Sequence, residues 1–447
     1  MRTTSKPQQW LSLYPVPASE QQREYEKIRE ILDAHKEFLT WVHEDQIRDV
    51  DANKGRSGLT AEQALRVLLV QRKTGDSFEA LAFRLNDSMT CRWFCRLGPS
   101  KTVSRSALHR AVQPISAETI EKINRSILED GKKLGIENGR KVRTDCTVVD
   151  SNIHKPTDSW LLWDVIRVLT RLLNLIRVQY PQVSAKDHTR LAKRRMVRIE
   201  TAKNKQQREQ PYRDLLDVAQ KTVGYAKNAM TIAEKSDNPK MQSLAAQVRH
   251  FAQLGERVID QARRRVIDGE SVPAAEKVVS IFEPHTDIIV KDRRETLYGH
   301  KICLTAGKSG LVLDCQILDG NPADSTLAVE MVERMETIYG RPPRQVTLDG
   351  GFSSISNLQD IKKLGVSDVV FSKSPGIEVE DMAKSPWVYK QLRKFRAGIE
   401  GIISFLKRSF GLGRCLWRGL ESFKSYVWSS ILSANMVTIA RRMLQQE

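Results

Sequence analysis

Three acidic residues stand in positions where a carboxylate could do chemistry. Asp145 lies inside the β-branched run KVRTDCTVVDSNI, Asp349 ends the apolar run VTLDGG, and Glu400 lies in KFRAGIEGIISFLKRSFGLGR. A carboxylate within an apolar strand is costly unless it is paired or binds a cation. Three converging carboxylates suit Mg²⁺ or Mn²⁺, which prefer hard oxygen ligands. Two such ions about 4 Å apart can promote cleavage of a phosphodiester, and this is the chemistry that the sequence suggests.

Each of these carboxylates also has a simpler interpretation. Asp349 could cap a turn, and Glu400 could be an ordinary charge on a helix surface. Asp150 is the alternative to Asp145, because residues five apart in a regular strand point to opposite faces. Asp145 lies deeper in the strand, whereas Asp150, beside Ser151 and an asparagine, resembles a turn residue. We therefore prefer Asp145 and keep Asp150 as the alternative.

The elements that must position these carboxylates can be read from the later part of the chain. The predicted strand around Asp145 begins at Lys141. From Lys277 onward the pattern predicts, in order, strands at VVSIF, HKICLTAG and GLVLDCQIL, a helix from Asp324 to Tyr339, a strand at RQVTLDGGF, a helix from Ser353 to Leu364, a strand at DVVFSK and helices from Trp387 to Leu406 and Glu421 to Gln445. This order indicates a mixed α/β sheet buried between helices.

The rest of the chain is predicted to be helical. Residues 20–50 carry apolar side chains at helical spacing, and Thr60 with Gln63 forms a capping box before a helix. The short helices and tight turns that follow are consistent with a helix-turn-helix that binds DNA, although any small helical bundle would look similar. Between residues 158 and 276 we expect three or four long helices, punctuated by Pro211 and later breaks.

The charge points to a polyanionic partner. The 447 residues carry a formal net charge of +18, and residues 186–213 alone hold ten Lys or Arg against three Asp or Glu. Lysines and arginines that displace counterions from phosphate gain affinity for nucleic acid. A merely solubilising surface charge is the alternative, and a membrane surface is less favoured because the charge is spread along the chain. The polar start and the lack of a long apolar run predict a soluble, cytoplasmic protein.

The acidic motifs resemble those of bacterial insertion-sequence DDE transposases, in the group often labelled ISNCY. RTDCTVVDSNIHKPTDS is similar to the first-aspartate motif, VTLDGGFSS to the second and RAGIEGIISFLKRSFGLGR to the glutamate motif. Arg396, Glu400 and Lys407 match the Arg-Glu-Lys part of a signature found in related families. Arg393 stands where that signature usually has a tyrosine. The resemblance covers nearly the whole chain and is most specific in the glutamate motif.

The resemblance implies a ribonuclease H-like catalytic core (residues 140–157 and 277–447), interrupted by a helical insertion (158–276) and preceded by an all-α, DNA-binding N-terminal region (1–139). It also implies that the metal ligands are Asp145, Asp349 and Glu400, with two Mg²⁺ or Mn²⁺ ions as cofactors. Arg396 and Lys407, on the same helix as Glu400, would bind DNA phosphate; their alternative is ordinary salt bridging along the helix.

The expected reaction is hydrolysis at the transposon ends, followed by attack of the freed 3′-hydroxyl on target DNA. The partners would be double-stranded DNA, as terminal inverted repeats and as target, and at least one further copy of the chain in the active complex. Two other functions remain open from the sequence. One is a nuclease of the same fold that does not transpose, and the other is a DNA-binding regulator or inactive copy whose catalytic core has decayed.

Overall fold

The structure is a computed structural model that describes residues 3–4, 19–51, 57–98, 101–291, 295–373 and 376–446. Most of the polar N-terminal stretch, on which the expectation of a soluble, cytoplasmic protein partly rests, lies outside these residues. The chain divides into two compact units, one formed by Met1–Asp150 with His300–Glu447 and the other by Ser151–Gly299.

The described residues form sixteen α-helices and six strands. The helices are α1 Glu20–Ala34, α2 Glu37–Ile47, α3 Ala61–Thr74, α4 Phe78–Asp87, α5 Met89–Phe94, α6 Arg105–Val112, α7 Ala117–Lys133, α8 Asp158–Arg177, α9 Thr189–Thr201, α10 Lys205–Glu234, α11 Pro239–Ala262, α12 Ala328–Tyr339, α13 Ile355–Lys363, α14 Val379–Met382, α15 Pro386–Ser409 and α16 Leu420–Leu444. The strands are β1 Lys141–Asp150, β2 Asp287–Lys291, β3 Glu295–Gly307, β4 Val312–Ile317, β5 Gln345–Leu348 and β6 Asp368–Phe371.

In the first unit the N-terminal helices begin and end where local chemistry predicts. The expected capping box is present at α3, because the Thr60 side chain accepts from the Gln63 N–H and the Gln63 side chain accepts from the Thr60 N–H. Gly75, at φ 70°, ends the same helix in the left-handed conformation that glycine adopts without strain. The stretch predicted to be helical from residue 20 to 50 consists of two helices, α1 and α2.

The sheet of the first unit places β1 at its centre, in the order β4-β3-β1-β5-β6. β1 pairs with β5 and β5 with β6 in parallel, whereas β3 and β4 are antiparallel. α15 packs against β1, β5 and β6. α16 is buried along almost its whole length and packs against α1, α3 and α7. The N-terminal helices and the sheet therefore share one hydrophobic core, and the predicted mixed sheet between helices is confirmed.

The second unit contains the four long helices α8 to α11, packed around a core of their own. Two sequence predictions are wrong here. Pro211 does not end a helix but lies inside α10 as its seventh residue. Its ring removes one backbone hydrogen bond, and the burial of Tyr212, Leu215 and Leu216 just after it favours a continuous helix.

The second wrong prediction is the strand VVSIF at residues 278–282, which is irregular in the structure. The side chain of Gln261 instead forms hydrogen bonds with the backbone of Val278. The N–H of Val278 donates to Gln261 Oε1 at 2.8 Å, and Gln261 Nε2 donates to the carbonyl of Val278 at 3.4 Å. Val278 and Ile281 are buried against the helices of this unit. The segment is apolar because it fills a helical core, and the strand that pairs with the start of β3 is β2.

None of the helices in the described ranges combines the length and apolar character that crossing a membrane would require.

Candidate active site

Asp145 and Asp349 lie next to each other on two neighbouring strands. β1 and β5 pair in parallel, with Thr144 opposite Leu348 as the last partners in register. The next residue on each strand is an aspartate. β5 ends at this point, and the carboxyl ends of parallel strands are where α/β sheets place their sites. Two carboxylates far apart in sequence are thus brought to one edge of the sheet.

Arg396 of α15 links these aspartates to Glu400. Its Nη2 lies 3.1 Å from Asp349 Oδ1 and 3.3 Å from Asp145 Oδ2, and its Nη1 lies 3.3 Å from Glu400 Oε1. Arg396 and Glu400 are four residues apart and so lie on one face of the helix. Four of the five residues selected from the sequence therefore meet around one guanidinium.

The remaining residue, Lys407, lies two turns further along α15. Seven residues correspond to about 10 Å of helix from Glu400, and the Lys407 side chain is partly buried. Glu400 itself is open to solvent, with 67% of its side chain exposed, whereas Asp145 is only 16% exposed. The site thus has a buried side at β1 and an open side at α15.

The environment of Asp145 favours the protonated form of its carboxyl group. Burial raises its pKa, the positive charge of Arg396 lowers it and the negative charge of Asp349 raises it again, so that the pKa is about 6. The N–H of Cys146 donates to Oδ1 at 2.8 Å and partly offsets the burial. Burial thus disfavours the charged form of Asp145, and a bound cation would favour it.

Asp349 behaves in the opposite way. Burial raises its pKa, but the hydrogen bond from Ser372 Oγ at 2.5 Å, the N–H of Gly350 and the charges of Arg396 and Lys373 together lower the pKa below its usual value. The pKa values of the two aspartates are therefore shifted in opposite directions, although both carboxylates contact the same arginine. Asp349 stays ionised over a wider range of pH.

Asp150, the alternative to Asp145, lies at the end of β1. Its backbone pairs with the segment after α15: its N–H donates to the Gly413 carbonyl at 3.1 Å, and its carbonyl accepts from the Cys415 N–H at 2.7 Å. The residue that shares Arg396 with Asp349 is Asp145. The geometry therefore supports the choice of Asp145.

The glycines after Asp349 are needed because side chains approach them closely. A Cβ on Gly350 would lie 3.0 Å from the Cβ of Lys373, and one on Gly351 would lie 2.8 Å from Oδ2 of Asp324. Asp324 also pairs with Lys301 at 2.7 Å, and its charge contributes to the raised pKa of Asp145. From the sequence, Asp324 was predicted only to begin a helix. The glycine pair after Asp349 was nevertheless a signal that another group lies close to that turn, and in the structure this group is Asp324 at Gly351.

Sequence reasoning also missed how α15 is fixed against β1. Arg143, two residues before Asp145, is 8% exposed, donates to the Phe395 carbonyl at 2.9 Å and lies 4.5 Å from the centroid of the Phe395 ring. Its guanidinium occupies the space that a Cβ at Gly398 would need. Gly398 lies between Arg396 and Glu400, so this contact fixes the part of the helix that carries the site.

The site suits a divalent cation, although its ligands are not yet gathered. In the described ranges no group of three or more His, Cys, Asp or Glu side chains is placed to hold a metal ion. The three carboxylates offer only hard oxygen donors, and sharing the guanidinium of Arg396 leaves them with an excess of negative charge. Asp145 and Asp349 both contact Arg396, which a cation bound between them would have to displace. Glu400 would need another rotamer, because it meets them only through Arg396.

Family comparisons cover the N-terminal helices and the second half of the chain. The model of the Transposase DDE domain matches residues 260–436, a range that contains Asp349, Arg396 and Glu400 but not Asp145. The model of the Transposase domain (DUF772) matches residues 17–113. No curated protein and no solved structure matches the chain.

The two family matches do not overlap and together span more than half of the sequence. A transposase DDE domain has a ribonuclease H-like core, with which the mixed sheet around β1 is consistent. The strand order and the two neighbouring aspartates are consistent with the family that the two matched domains indicate. The chain belongs to the insertion-sequence DDE transposases, enzymes that cut DNA and transfer its strands.

Proposed function

We propose that Asp145, Asp349 and Glu400 are the catalytic, metal-binding residues of this transposase, and that Arg396 and Lys407 bind DNA phosphate. The observation that carries this assignment is the guanidinium of Arg396, which contacts all three carboxylates. Carboxylates from two strands and a helix that share one guanidinium at a sheet edge are suited to a site for hard cations and phosphate.

The family generally uses divalent metal ions, and we propose Mg²⁺ or Mn²⁺, as two ions, for this chain. When bound, the ions would supply the positive charge that activates a nucleophile and stabilises the leaving oxygen in phosphodiester cleavage. Asp145 and Asp349 would hold them from the sheet edge, and Glu400 from the open side of the site. The excess negative charge at the buried Asp145 favours such a ligand.

Arg396 has two tasks in this proposal. Without DNA it rests on the carboxylates and reduces their mutual repulsion. With DNA its planar guanidinium can donate in parallel to phosphate oxygens, a geometry that suits arginine better than lysine. Lys407, further along α15, would contact the backbone beyond the reacting phosphate. Both reaction steps, hydrolysis at the ends and attack of the 3′-hydroxyl on target DNA, depend mainly on positioning and charge.

We further propose that residues 1–139 bind DNA, that residues 140–157 and 277–447 form the catalytic core, and that residues 158–276 are a helical insertion. Within the first region α6 is the best candidate for reading DNA. Arg105, His109 and Arg110 are exposed on one side of it, whereas Leu108 and Val112 are buried on the other. α3, by contrast, is buried along most of its length, which does not suit a helix that enters a groove.

The remaining parts of the proposal follow from the reaction. Two transposon ends must be held together, so the active complex would contain at least two copies of the chain, bound to terminal inverted repeats and to target DNA. The protein would act in the bacterial cytoplasm, at the nucleoid. The acidic motifs support membership of the ISNCY group.

The test is strand transfer by the purified protein on duplexes that carry the element's own ends, with Mg²⁺ or with EDTA. Asp349→Asn should abolish nicking and joining while end binding persists. Asp360→Asn is the matched control, because Asp360 is an exposed aspartate of α13 that pairs with Lys363; it should leave activity unchanged. Cleavage that survives Asp349→Asn would show that the site is misplaced.

Two other outcomes would identify the alternatives. End binding without any metal-dependent cleavage would indicate a regulator or an inactive copy. Metal-dependent cleavage without preference for the element's ends and without joining would indicate a nuclease of the same fold.

A further inference from the structure

A second positively charged site lies at the start of β1. A pocket of about 580 Å³ is lined by Arg140, Lys141, Lys308 and Arg442, which we call the basic pocket. These residues come from the approach to β1, its first residue, the turn between β3 and β4 and the last turn of α16. Within the described part of the chain, none of the four forms an ion pair with a carboxylate.

The pocket is held in shape by a buried glutamate. Glu137 is 4% exposed and accepts from the N–H groups of Asn138 and Gly139 at 2.9 and 3.0 Å, and from the N–H of Ser309 at 2.8 Å. Gly307 must be a glycine because a Cβ there would overlap Glu137. Glu137 therefore ties the turn between β3 and β4 to the approach to β1, and its charge is satisfied by backbone N–H groups.

Two cations of the pocket, Lys141 and Lys308, lie close enough to repel each other. Burial, the charge of Lys308 and the charge of Arg143 lower the pKa of Lys141. Four cations on four different elements surround one carboxylate, that of Glu137, so the pocket keeps an excess of positive charge. Such an arrangement is unfavourable unless an anion binds there.

We propose that the basic pocket binds backbone phosphates of the DNA on which this transposase acts, an inference that rests on the proposed function. Arginine and lysine donors around an open pocket suit phosphate oxygens. The described residues that line the pocket include no aromatic side chain, so they offer no surface on which a nucleobase could stack. The pocket is therefore suited to contact the phosphate backbone of DNA and not to recognise its bases.

The distance to the carboxylates fits this assignment. Lys141 precedes Asp145 by four residues on β1, which is about 13 Å at the rise of an extended strand. One strand of a duplex advances about 3.4 Å per nucleotide along its axis. For a duplex whose axis runs along β1, the basic pocket would contact phosphates about four nucleotides from the reacting one and would help to fix where the duplex is cut.

The test compares two double variants in their affinity for a mixed-sequence duplex of about 30 base pairs as salt is varied. Lys308→Ala with Arg442→Ala removes two exposed cations of the pocket. Lys363→Ala with Lys424→Ala is the control, because these two lysines lie outside the pocket and already pair with carboxylates. Thermal unfolding of both variants establishes that each is folded.

The slope of log K against log salt is negative, and the pocket variant should make it shallower by about 1.8; at 0.1 M salt the variant should bind DNA about 60-fold more weakly. The control should keep the wild-type slope. A pocket variant with the slope of the control would overturn the inference and leave the proposed function intact. Inorganic phosphate that binds the wild type but not the pocket variant, with DNA affinity equal in both, would also overturn it. A wild-type protein that neither binds nor cleaves DNA would overturn both.

Discussion

Replacing Gly398 by alanine should disturb α15, whereas the same change at Gly401 of that helix should not. An alanine Cβ would overlap Nη1 of Arg143 and lie 3.0 Å from its Cζ. Arg143 cannot move aside freely, because it is buried, bonded to the Phe395 carbonyl and stacked over the Phe395 ring. Either the guanidinium leaves its place or α15 shifts away from β1.

The size of the effect can be worked from these contacts. Losing a hydrogen bond from a charged donor costs about 1.5–3 kcal/mol, and loss of the ring contact adds about 0.5–1 kcal/mol. Alanine in place of glycine within a helix raises the free energy of unfolding by about 1 kcal/mol, which offsets part of this loss. Gly398→Ala should therefore lower the free energy of unfolding by about 1–3 kcal/mol. A shift of α15 by about 1 Å would also misplace Arg396 and Glu400 and could reduce the nicking rate by about 10²-fold.

The matched control is Gly401→Ala, one turn later on the same helix, where an added Cβ meets nothing within 4 Å. It should raise the free energy of unfolding by about 0.5–1 kcal/mol, as expected from helix propensity. Urea unfolding measures both variants, and nicking of an end duplex measures activity. The same change at Gly398 in an Arg143→Ala background should cost nothing, because the overlap is gone. Equal stabilities of Gly398→Ala and Gly401→Ala, or an undiminished cost without Arg143, would refute the reasoning.

Three further predictions concern single groups. Ser372→Ala removes a hydrogen bond that lowers the pKa of Asp349, so the pKa of the Asp349 carboxyl, followed by NMR against pH in the metal-free protein, should rise; an unchanged pKa would mean that Ser372 does not stabilise the charged form. Pro211→Ala should restore a backbone hydrogen bond in α10 and raise the free energy of unfolding by roughly 1–2 kcal/mol, and a loss of stability in urea would show that packing of the ring dominates. Burial lowers the pKa of His35, but its two carboxylate partners raise it further, to above the usual value. The stabilisation by protonated His35 is thus complete below the unfolded pKa and lost as pH rises through the folded pKa. The stability difference between wild type and His35→Gln should therefore shrink from about pH 6 to pH 8, and a constant difference would contradict this.

The features that could be predicted from sequence are those set by near neighbours. The capping box of Thr60 and Gln63 depends on four consecutive residues, and the structure contains it. The strand around Asp145 and the turn after Asp349 follow from β-branched runs and a glycine pair. Such signals were sufficient to place the candidate carboxylates on the right elements, because each element is determined largely by its own pattern.

The wrong predictions arose where tertiary packing outweighed the local pattern. An apolar run such as VVSIF can be a buried strand or a buried irregular segment, and only the Gln261 side chain, which bonds Val278, decides between them. Pro211 is a helix breaker in isolation, yet the residues after it pack well enough to hold α10 straight through it. Neither outcome is visible in a short window of sequence.

The contacts of Arg396 could not be predicted for a different reason. They depend on how α15 is placed against β1, between residues that are 251 positions apart for Asp145 and Arg396. That placement is set by Arg143 reaching into the gap at Gly398, and nothing in either local motif indicates this partner. The sequence could point to the residues that we propose for the chemistry, whereas the register that brings them together required the structure.

The structure also bears on the two interpretations of Arg396 that the sequence left open, helix salt bridging and a role in the site. Its contact with Glu400 is an ordinary pair four residues apart, which alone would contribute only about 0.2–0.5 kcal/mol. The same guanidinium also lies between Asp145 and Asp349, where it reduces the repulsion of two aspartates at the sheet edge. While it rests there, Arg396 opposes the binding of a cation to the aspartates. A DNA phosphate that drew the guanidinium away would make both carboxylates available, so binding of DNA and of a divalent cation would strengthen each other to the same degree.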